Sequence, residues 1–317
     1  MSAETIGVLG AGLMGHGIAQ VFAAAGHPVV MVDTDPTAFD RARAKIRQNL
    51  DLLVEYEWLD ADAADAVLPR IDTSTDLAAL APAKLIIEAV AEDAEIKREV
   101  YGNLAPHLRP ETILATNTSS IPIRVLADAT DRPDRFTTTH FFRPAYIIPM
   151  VEVTKGEQTS EATVTRVLAL LRGAGLRPVR INVDLPGQVA NRLRQALFRE
   201  ALDLVERGVI SAEDIDELAG FSFGPRMPLM GVIRDRDLVG LDITTRGAER
   251  VWPDLSNASE PHASLRDLAA EGHLGLKTGR GFCDWSDVDF AAYWTKLERQ
   301  QLEVFGALRR ADALPRD

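Results

Sequence analysis

Four polar residues, Ser119, His140, Glu152 and Asn191, have the types and placing to do acid–base chemistry on an oxygen atom. His140 closes the run Thr-Thr-Thr-His, and Glu152 lies between Val151 and Val153 in the next extended stretch. A carboxylate that points inward between valines is costly unless something pairs with it. His140 would satisfy it, and the pairing would raise the imidazole pKa and fix the tautomer. A histidine held in that way moves protons near neutral pH in either direction. Ser119 sits in Asn117-Thr118-Ser119-Ser120, just past an expected strand over Thr112 to Ala115. Asn191 follows the turn Asp184-Leu185-Pro186-Gly187.

A second constellation lies near the start. The stretch from Thr5 to Asp33 runs as apolar segment, Gly10-Ala11-Gly12-Leu13-Met14-Gly15, helical segment, Gly-His-Pro turn, and a second apolar segment ending in Asp33. Gly10 permits the tight turn, Gly12 lets backbone approach a pyrophosphate, and Gly15 lets helix pack on strand. The helix N-terminus offers free amides and a positive dipole end to phosphate. Asp33 falls near the offset of the acid that receives the ribose hydroxyls, and Thr34 stands where a 2′-phosphate would call for arginine. The cofactor expected is NAD.

Elements that alternate must position these residues. Helix is expected from Pro36 through Leu53, strand at Leu85–Val90, helix at Glu95–Leu104, strands at Phe136–Phe142 and Met150–Val153, helix over 161–175, and strand at Val179–Val183. Such alternation implies an α/β fold, a parallel sheet with helices on both faces. Beyond Asp184 the pattern is helical, which divides the chain into an expected NAD-binding domain, 1–184, and an all-helical domain, 185–317. The apolar face Leu193, Leu197, Leu202 and Val205 needs a partner, and a homodimer interface is the expected one. Composition is that of a soluble globule: 317 residues, 46% hydrophobic, 26% charged, formal net charge −12. That charge argues against nucleic acid or an anionic membrane as partner, and no apolar run is long enough to span a bilayer. The single Cys283 fits a reducing cytoplasm, and no Cys/His cluster has metal-ligand spacing, so no metal is expected.

These motifs occur together and in order: GAGLMGHGIAQ, EAVAED, NTSS, HFFRP, MVEV, DLPGQVANR and KTGRGF. In that respect the sequence resembles the L-3-hydroxyacyl-CoA dehydrogenase (3-hydroxybutyryl-CoA dehydrogenase) family from about Ile6 to Trp285. The resemblance implies a doubly wound Rossmann-type N-terminal domain followed by an all-helical C-terminal dimerisation domain. It makes His140 the general base, Glu152 its orienting partner, and Ser119 and Asn191 the residues that hold the reacting oxygen. It also implies contacts to NAD from the Ala89-Val90 turn, Glu92, Lys97, Asn117 and Lys277. The chemistry asks for these types: imidazole takes the alcohol proton as hydride leaves carbon, and hydrogen-bond donors stabilise charge developing on oxygen.

Departures from the family bear on the substrate. Arg143 replaces the usual Asn of HFFNP, and Pro149 stands where acyl-CoA enzymes often have Lys. Gly224-Pro225-Arg226-Met227 resembles the branch that acts on free hydroxy acids such as carnitine or gulonate, which makes Arg143 and Arg226 candidate substrate-binding cations. Asp51, Glu55, Glu57, Asp60, Asp62 and Asp65 crowd the region that helps bind CoA in the acyl-CoA branch. Against this, the stretch His273 to Phe282 matches the acyl-CoA branch well. The expectation is therefore an NAD-dependent L-3-hydroxyacyl-CoA dehydrogenase of fatty acid metabolism. A dehydrogenase of free carboxylate-bearing hydroxy acids is the alternative, and a non-catalytic NAD-binding protein of the crystallin kind is the alternative from another class. The set Ser119, His140, Glu152 and Asn191 speaks against the last, since nothing structural requires all four.

Asp33 and Thr34 generate a prediction about cofactor choice. Initial rates should favour NAD over NADP by roughly tens-fold in kcat/KM, because a 2′-phosphate would sit beside a carboxylate. Asp33→Ala should lose much of that discrimination. Equal kcat/KM for the two cofactors would count against the reading.

Overall fold

The computed structural model describes residues 3–311. The chain opens with β1 (Ile6–Leu9), α1 (Gly15–Ala24), β2 (Val29–Val32), α2 (Thr37–Glu55), α3 (Ala61–Asp65), β3 (Ile71–Ser74), β4 (Leu85–Glu88) and α4 (Ala94–Leu104). It continues through β5 (Ile113–Thr116), α5 (Ile123–Leu126), β6 (Phe136–Phe141), β7 (Met150–Thr154), α6 (Glu161–Gly173) and β8 (Arg177–Ile181). The strands form one eight-stranded sheet in the order β3-β2-β1-β4-β5-β6-β7-β8. Every neighbouring pair is parallel except β6 with β7, which is antiparallel.

The strands are short and apolar because both faces are covered. Leu85 and Ile87 join the core beneath α1, α2 and α6, while Ile86 between them joins the core beneath α4 and α5. The period of two along each strand thus feeds two helical layers. α1 contributes Ile18 and Phe22 to the first layer, and α2 contributes Ile46 and Leu50. This is the doubly wound Rossmann-type architecture.

Strand order reverses between β1 and β4. That is where such sheets open a crevice at their carboxyl ends. The Gly10 turn leaves β1 there and Ala89-Val90 leaves β4 beside it. Gly10 has φ +105, and a Cβ on it would meet the Ala89 carbonyl oxygen at 2.7 Å. A Cβ on Gly15 would lie 1.8 Å from the Gly10 carbonyl oxygen, so only glycine allows α1 to start this close to the turn.

Three expectations need correction. β3 was not foreseen: it is an edge strand in which only Ile71 is buried, so it carries no apolar alternation to read. The last strand begins two residues earlier than expected, at Arg177, because its parallel register sets Arg177 opposite Met150 and Ile181 opposite Thr154. Leu202 on α7 (Gln188–Glu206) is 5% exposed and already has its cover, whereas Leu193 and Leu197 are 59% and 48% exposed.

The chain divides into two compact units, Met1–Arg192 and Leu193–Asp317, a division that falls inside α7. The second unit continues with α8 (Ala212–Phe221), α9 (Met227–Met230), α10 (Arg234–Val239), α11 (Leu241–Val251), α12 (Ala263–Ala270) and α13 (Phe290–Arg310). Among the described residues it holds no strand, only bridges at Gly275, Arg280 and Asp284. Ser211 caps α8 through its side chain, which accepts from the Asp214 amide, and this fixes where that helix starts. No described helix is long and apolar enough to cross a membrane.

The glycine turn predicts two opposite mutant behaviours. Gly15→Ala should destabilise by about 1–3 kcal/mol in urea unfolding, because the added methyl meets backbone that cannot swing aside. Gly12→Ala, where nothing lies within 4 Å of the new Cβ, should leave stability within about 0.5 kcal/mol yet weaken NAD binding by calorimetry.

Candidate active site

His140 and Glu152 stand directly opposite each other in the antiparallel β6/β7 ladder. Nδ1 of His140 lies 2.8 Å from Oε2 of Glu152. An ionised carboxylate only accepts, so Nδ1 carries the proton and Nε2 is the basic nitrogen of the neutral ring. The other carboxylate oxygen, Oε1, accepts from the Val189 amide at 2.9 Å and the Ala190 amide at 2.8 Å, both in the first turn of α7. Burial by itself would raise the Glu152 pKa. The hydrogen bond from His140 and those two amides outweigh it and hold the carboxyl below the usual glutamate range. The His140 ring also packs against Phe142, centroid to centroid at 4.8 Å.

Asn117 leaves the end of β5, and its Oδ1 accepts from the Phe141 amide at 2.8 Å, next to His140. Asn191, half-buried, follows Ala190 in the first turn of α7. Arg143 is exposed, three residues past His140. Local register therefore gathers His140, Glu152, Asn117 and Asn191 in the first unit.

Ser119 is held by Glu92. A single oxygen, Glu92 Oε1, accepts from Thr118 Oγ1 at 2.6 Å, the Ser119 amide at 2.9 Å, the Ser120 amide at 3.0 Å and Ser120 Oγ at 2.9 Å. Ser119 Oγ donates to the same oxygen at 3.3 Å. Burial raises the Glu92 pKa, and the bonds from Thr118 and Ser120 with the Lys97 charge overcome it, leaving the carboxyl at about 2. Lys97 Nζ lies 3.5 Å from Glu92 Oε2 and donates to Glu88 Oε1 at 2.6 Å, with the lysine side chain 1% exposed. Glu88 also accepts from the Val90 amide, Tyr101 Oη and Thr116 Oγ1, at 2.8, 2.6 and 2.8 Å. Burial and the Glu88 charge push the Tyr101 phenol well above its ordinary range, so it stays a donor.

Glu88, Tyr101 and Thr116 were not among the residues singled out from the sequence. The available signal was an acid closing the apolar run Leu-Ile-Ile-Glu, which burial makes costly without a cation.

The glycine turn has the shape of a dinucleotide cradle. No atom lies within 4 Å of a Cβ built on Gly12, so backbone is open to a ligand there. The start of α1 at Met14 has no side-chain cap, and Leu13 is 60% exposed. Asp33 Oδ2 accepts from the Ala11 amide at 2.7 Å, which ties that carboxylate to the turn. Residues and geometry fit NAD: open amides for the pyrophosphate and a carboxylate for the ribose.

Two residues lie in the second unit. Arg226 is exposed and stands 3.4 Å from Asp235, and Lys277 is exposed in the turn bridged by Gly275 and Arg280.

Known proteins resemble this chain over most of its length. Residues 5–185 match the family model for the NAD-binding domain of 3-hydroxyacyl-CoA dehydrogenase, and 187–285 match its C-terminal domain. A relative from Mesorhizobium japonicum, 5-formyl-3-hydroxy-2-methylpyridine 4-carboxylate 5-dehydrogenase, is 36% identical over 88% of this chain and 90% of its own. A probable 3-hydroxybutyryl-CoA dehydrogenase from Deinococcus radiodurans is 39% identical over 87% of this chain and 98% of its own. Among solved structures, a 5-formyl-3-hydroxy-2-methylpyridine 4-carboxylic acid 5-dehydrogenase, described as an NAD+-dependent dismutase, superposes with a TM-score of 0.90 at 33% identity, over 97% of this chain and 99% of that one. The (S)-3-hydroxybutyryl-CoA dehydrogenase of Ralstonia eutropha gives 0.76 at 35% identity, over 90% of this chain and 99% of that one.

The Glu92 clamp predicts a pH dependence. Its folded pKa of about 2 lies below the ordinary 4.5, so its contribution to stability is present above about 4.5 and is lost as pH falls toward 2. Urea midpoints of the wild type and Glu92→Gln should differ at pH 7, and the gap should narrow at pH 3. A gap that widens on acidification would refute the clamp.

Proposed function

This chain belongs to the 3-hydroxyacyl-CoA dehydrogenase family, and from that premise we propose how its residues work and on what. It is an NAD-dependent oxidoreductase. NAD, when bound, exchanges a hydride with the carbon of an alcohol or carbonyl group. In the oxidising direction His140 Nε2 takes the hydroxyl proton, and Glu152 offsets the positive charge that then develops on the ring. Asn191 donates to the reacting oxygen, as does Ser119 once its hydroxyl hydrogen turns from Glu92 to the substrate, and Asn117 helps hold the end of β5 beside the base through Phe141. Gly10, Gly12, Leu13, Met14, Gly15, Ala89 and Val90 line the cofactor cradle, and Asp33 receives the ribose. Glu92 and Lys97 serve the cofactor side from beneath the Ser119 loop. The observation that carries this reading is the His140–Glu152 contact with Oε1 held by two amides, an arrangement that leaves Nε2 basic.

For the substrate we place a free, carboxylate-bearing hydroxy or oxo compound first. The likeness to the pyridine-carboxylate dehydrogenase covers 97% of this chain, and the uncovered remainder is shorter than the 21-residue α13, so it extends past the family-matched 187–285. Asp51, Glu55, Glu57, Asp60, Asp62 and Asp65 are all exposed, a poor neighbourhood for CoA phosphates. Arg143, exposed and three residues past the base, and Arg226, exposed and 3.4 Å from Asp235, are the two candidate cations for a carboxylate. The acyl-CoA thioester, first in the sequence reading, stands second, supported by the Deinococcus relative's printed activity and by a fatty acid role that would follow from it. We further propose residues 1–184 as the cofactor domain and 185–317 as a substrate and dimerisation domain of a cytoplasmic homodimer. Exposed Phe221, Ile233 and Trp252, at 87%, 77% and 71%, support the dimer.

An NADH-formation assay with 3-hydroxybutyryl-CoA beside free 3-hydroxybutyrate, carnitine, gulonate and the pyridine carboxylate tests the substrate order. Free acids should lead by at least about tenfold in kcat/KM, and Arg143→Met should raise KM for them through a lost charge-assisted pair worth a few kcal/mol. A lead for the CoA thioester would reverse the order. On whichever substrate turns over, His140→Gln should keep NAD binding and lower kcat by roughly a hundredfold or more.

A further inference from the structure

We propose that Gln188 is a positioning residue, locked by Thr154 so that the first amides of α7 are presented to Glu152. The inference rests on the reading of Glu152 as the partner of His140 and extends it to residues that touch neither substrate nor cofactor.

Gln188 has φ +54, in the left-handed region that side-chain-bearing residues rarely adopt, and follows Gly187 at φ +80. A glycine would take this conformation without resistance, so a buried glutamine there calls for a reason. Its side chain supplies one. Gln188 is 1% exposed, and its Oε1 accepts from Thr154 Oγ1 at 2.6 Å. Thr154 is two residues beyond Glu152 on β7, so the two side chains leave the same face of the strand. Strand β7 thus grips three consecutive residues of the helix start: Thr154 takes the Gln188 side chain, and Glu152 takes the Val189 and Ala190 amides.

The grip has a chemical consequence. The amides, at the positive end of a 19-residue helix, occupy Glu152 Oε1 and so turn Oε2 toward His140. If the helix start drifts, Glu152 loses donors, and its carboxyl becomes easier to protonate. The groups facing Glu152 are His140 on β6, Val179 in register on β8, and the α7 amides, so His140 is the titratable one among them.

The test needs no substrate and therefore stands apart from the choice between free acid and thioester. In full-length protein carrying 13C-labelled glutamate side chains, the Glu152 carboxyl signal is assigned by its loss in Glu152→Gln and titrated in wild type, Thr154→Val, Gln188→Gly and Thr154→Ser. Thr154→Val removes the donor at nearly constant volume, and Gln188→Gly keeps the backbone conformation while deleting the acceptor. In both, the Glu152 midpoint should rise by about half a unit or more, while Thr154→Ser, which retains the hydroxyl, should titrate as wild type. On a substrate that turns over, the first two should lower kcat severalfold with KM for NAD unchanged. Thermal melting checks that each variant is folded. An unshifted Glu152 midpoint in folded Thr154→Val and Gln188→Gly overturns the proposal, as does a shift of the same size in Thr154→Ser.

Discussion

The Glu152 carboxylate is the junction on which the rest of the site depends. It is buried, and a buried charge persists only where its oxygens are all engaged. One oxygen faces His140 and the other faces the start of α7, so a strand, its antiparallel neighbour and a helix meet at a single side chain. The one antiparallel pairing in the sheet has a role here. Reversing β7 against β6 sets Glu152 directly across from His140, and a one-residue slip would turn the two side chains to opposite faces.

A second charged assembly underlies the other side of the site. Glu88 closes β4, Lys97 comes from α4, and Glu92 lies on the connection between them. Each charge has an opposite neighbour, and Tyr101, Thr116 and backbone amides take up remaining acceptor positions. A network satisfied to this degree is rigid. Glu92 passes that rigidity to the loop through Thr118, Ser119 and Ser120, so a loop past a strand end is held as firmly as a helix cap. Lys97, expected at the cofactor from the resemblance, has its ammonium between the carboxylates of Glu88 and Glu92.

Charge is unevenly distributed along the chain. The protein is acidic overall, and the stretch from Asp51 to Asp65 exposes six acids and no Lys or Arg, although α2 before it carries Arg41, Arg43, Lys45 and Arg47. Arg47, the basic residue that reaches Asp65, is engaged in doing so. Arg143 is exposed two residues past the end of β6.

Much was legible in the sequence because some constraints are local. The glycine turn needs Gly10 and Gly15 for steric reasons within a few residues, and the apolar runs of β1, β2, β4 and β5 announce a sheet covered on both faces. An acid between valines beside a histidine-ended strand was also readable, since burial of a charge demands a partner. Other features are decided only by contacts between distant segments. Edge strand β3 buries a single side chain, and β8 is placed by its register with β7 and not by its own pattern. Five hydrogen bonds from one loop converge on a single oxygen of Glu92, and no spacing in the chain announces that. Gln188 reads as an ordinary polar residue before a helix. Its left-handed backbone and its bond to Thr154 exist only once β7 and α7 have met, because the energy that holds it there comes from that meeting.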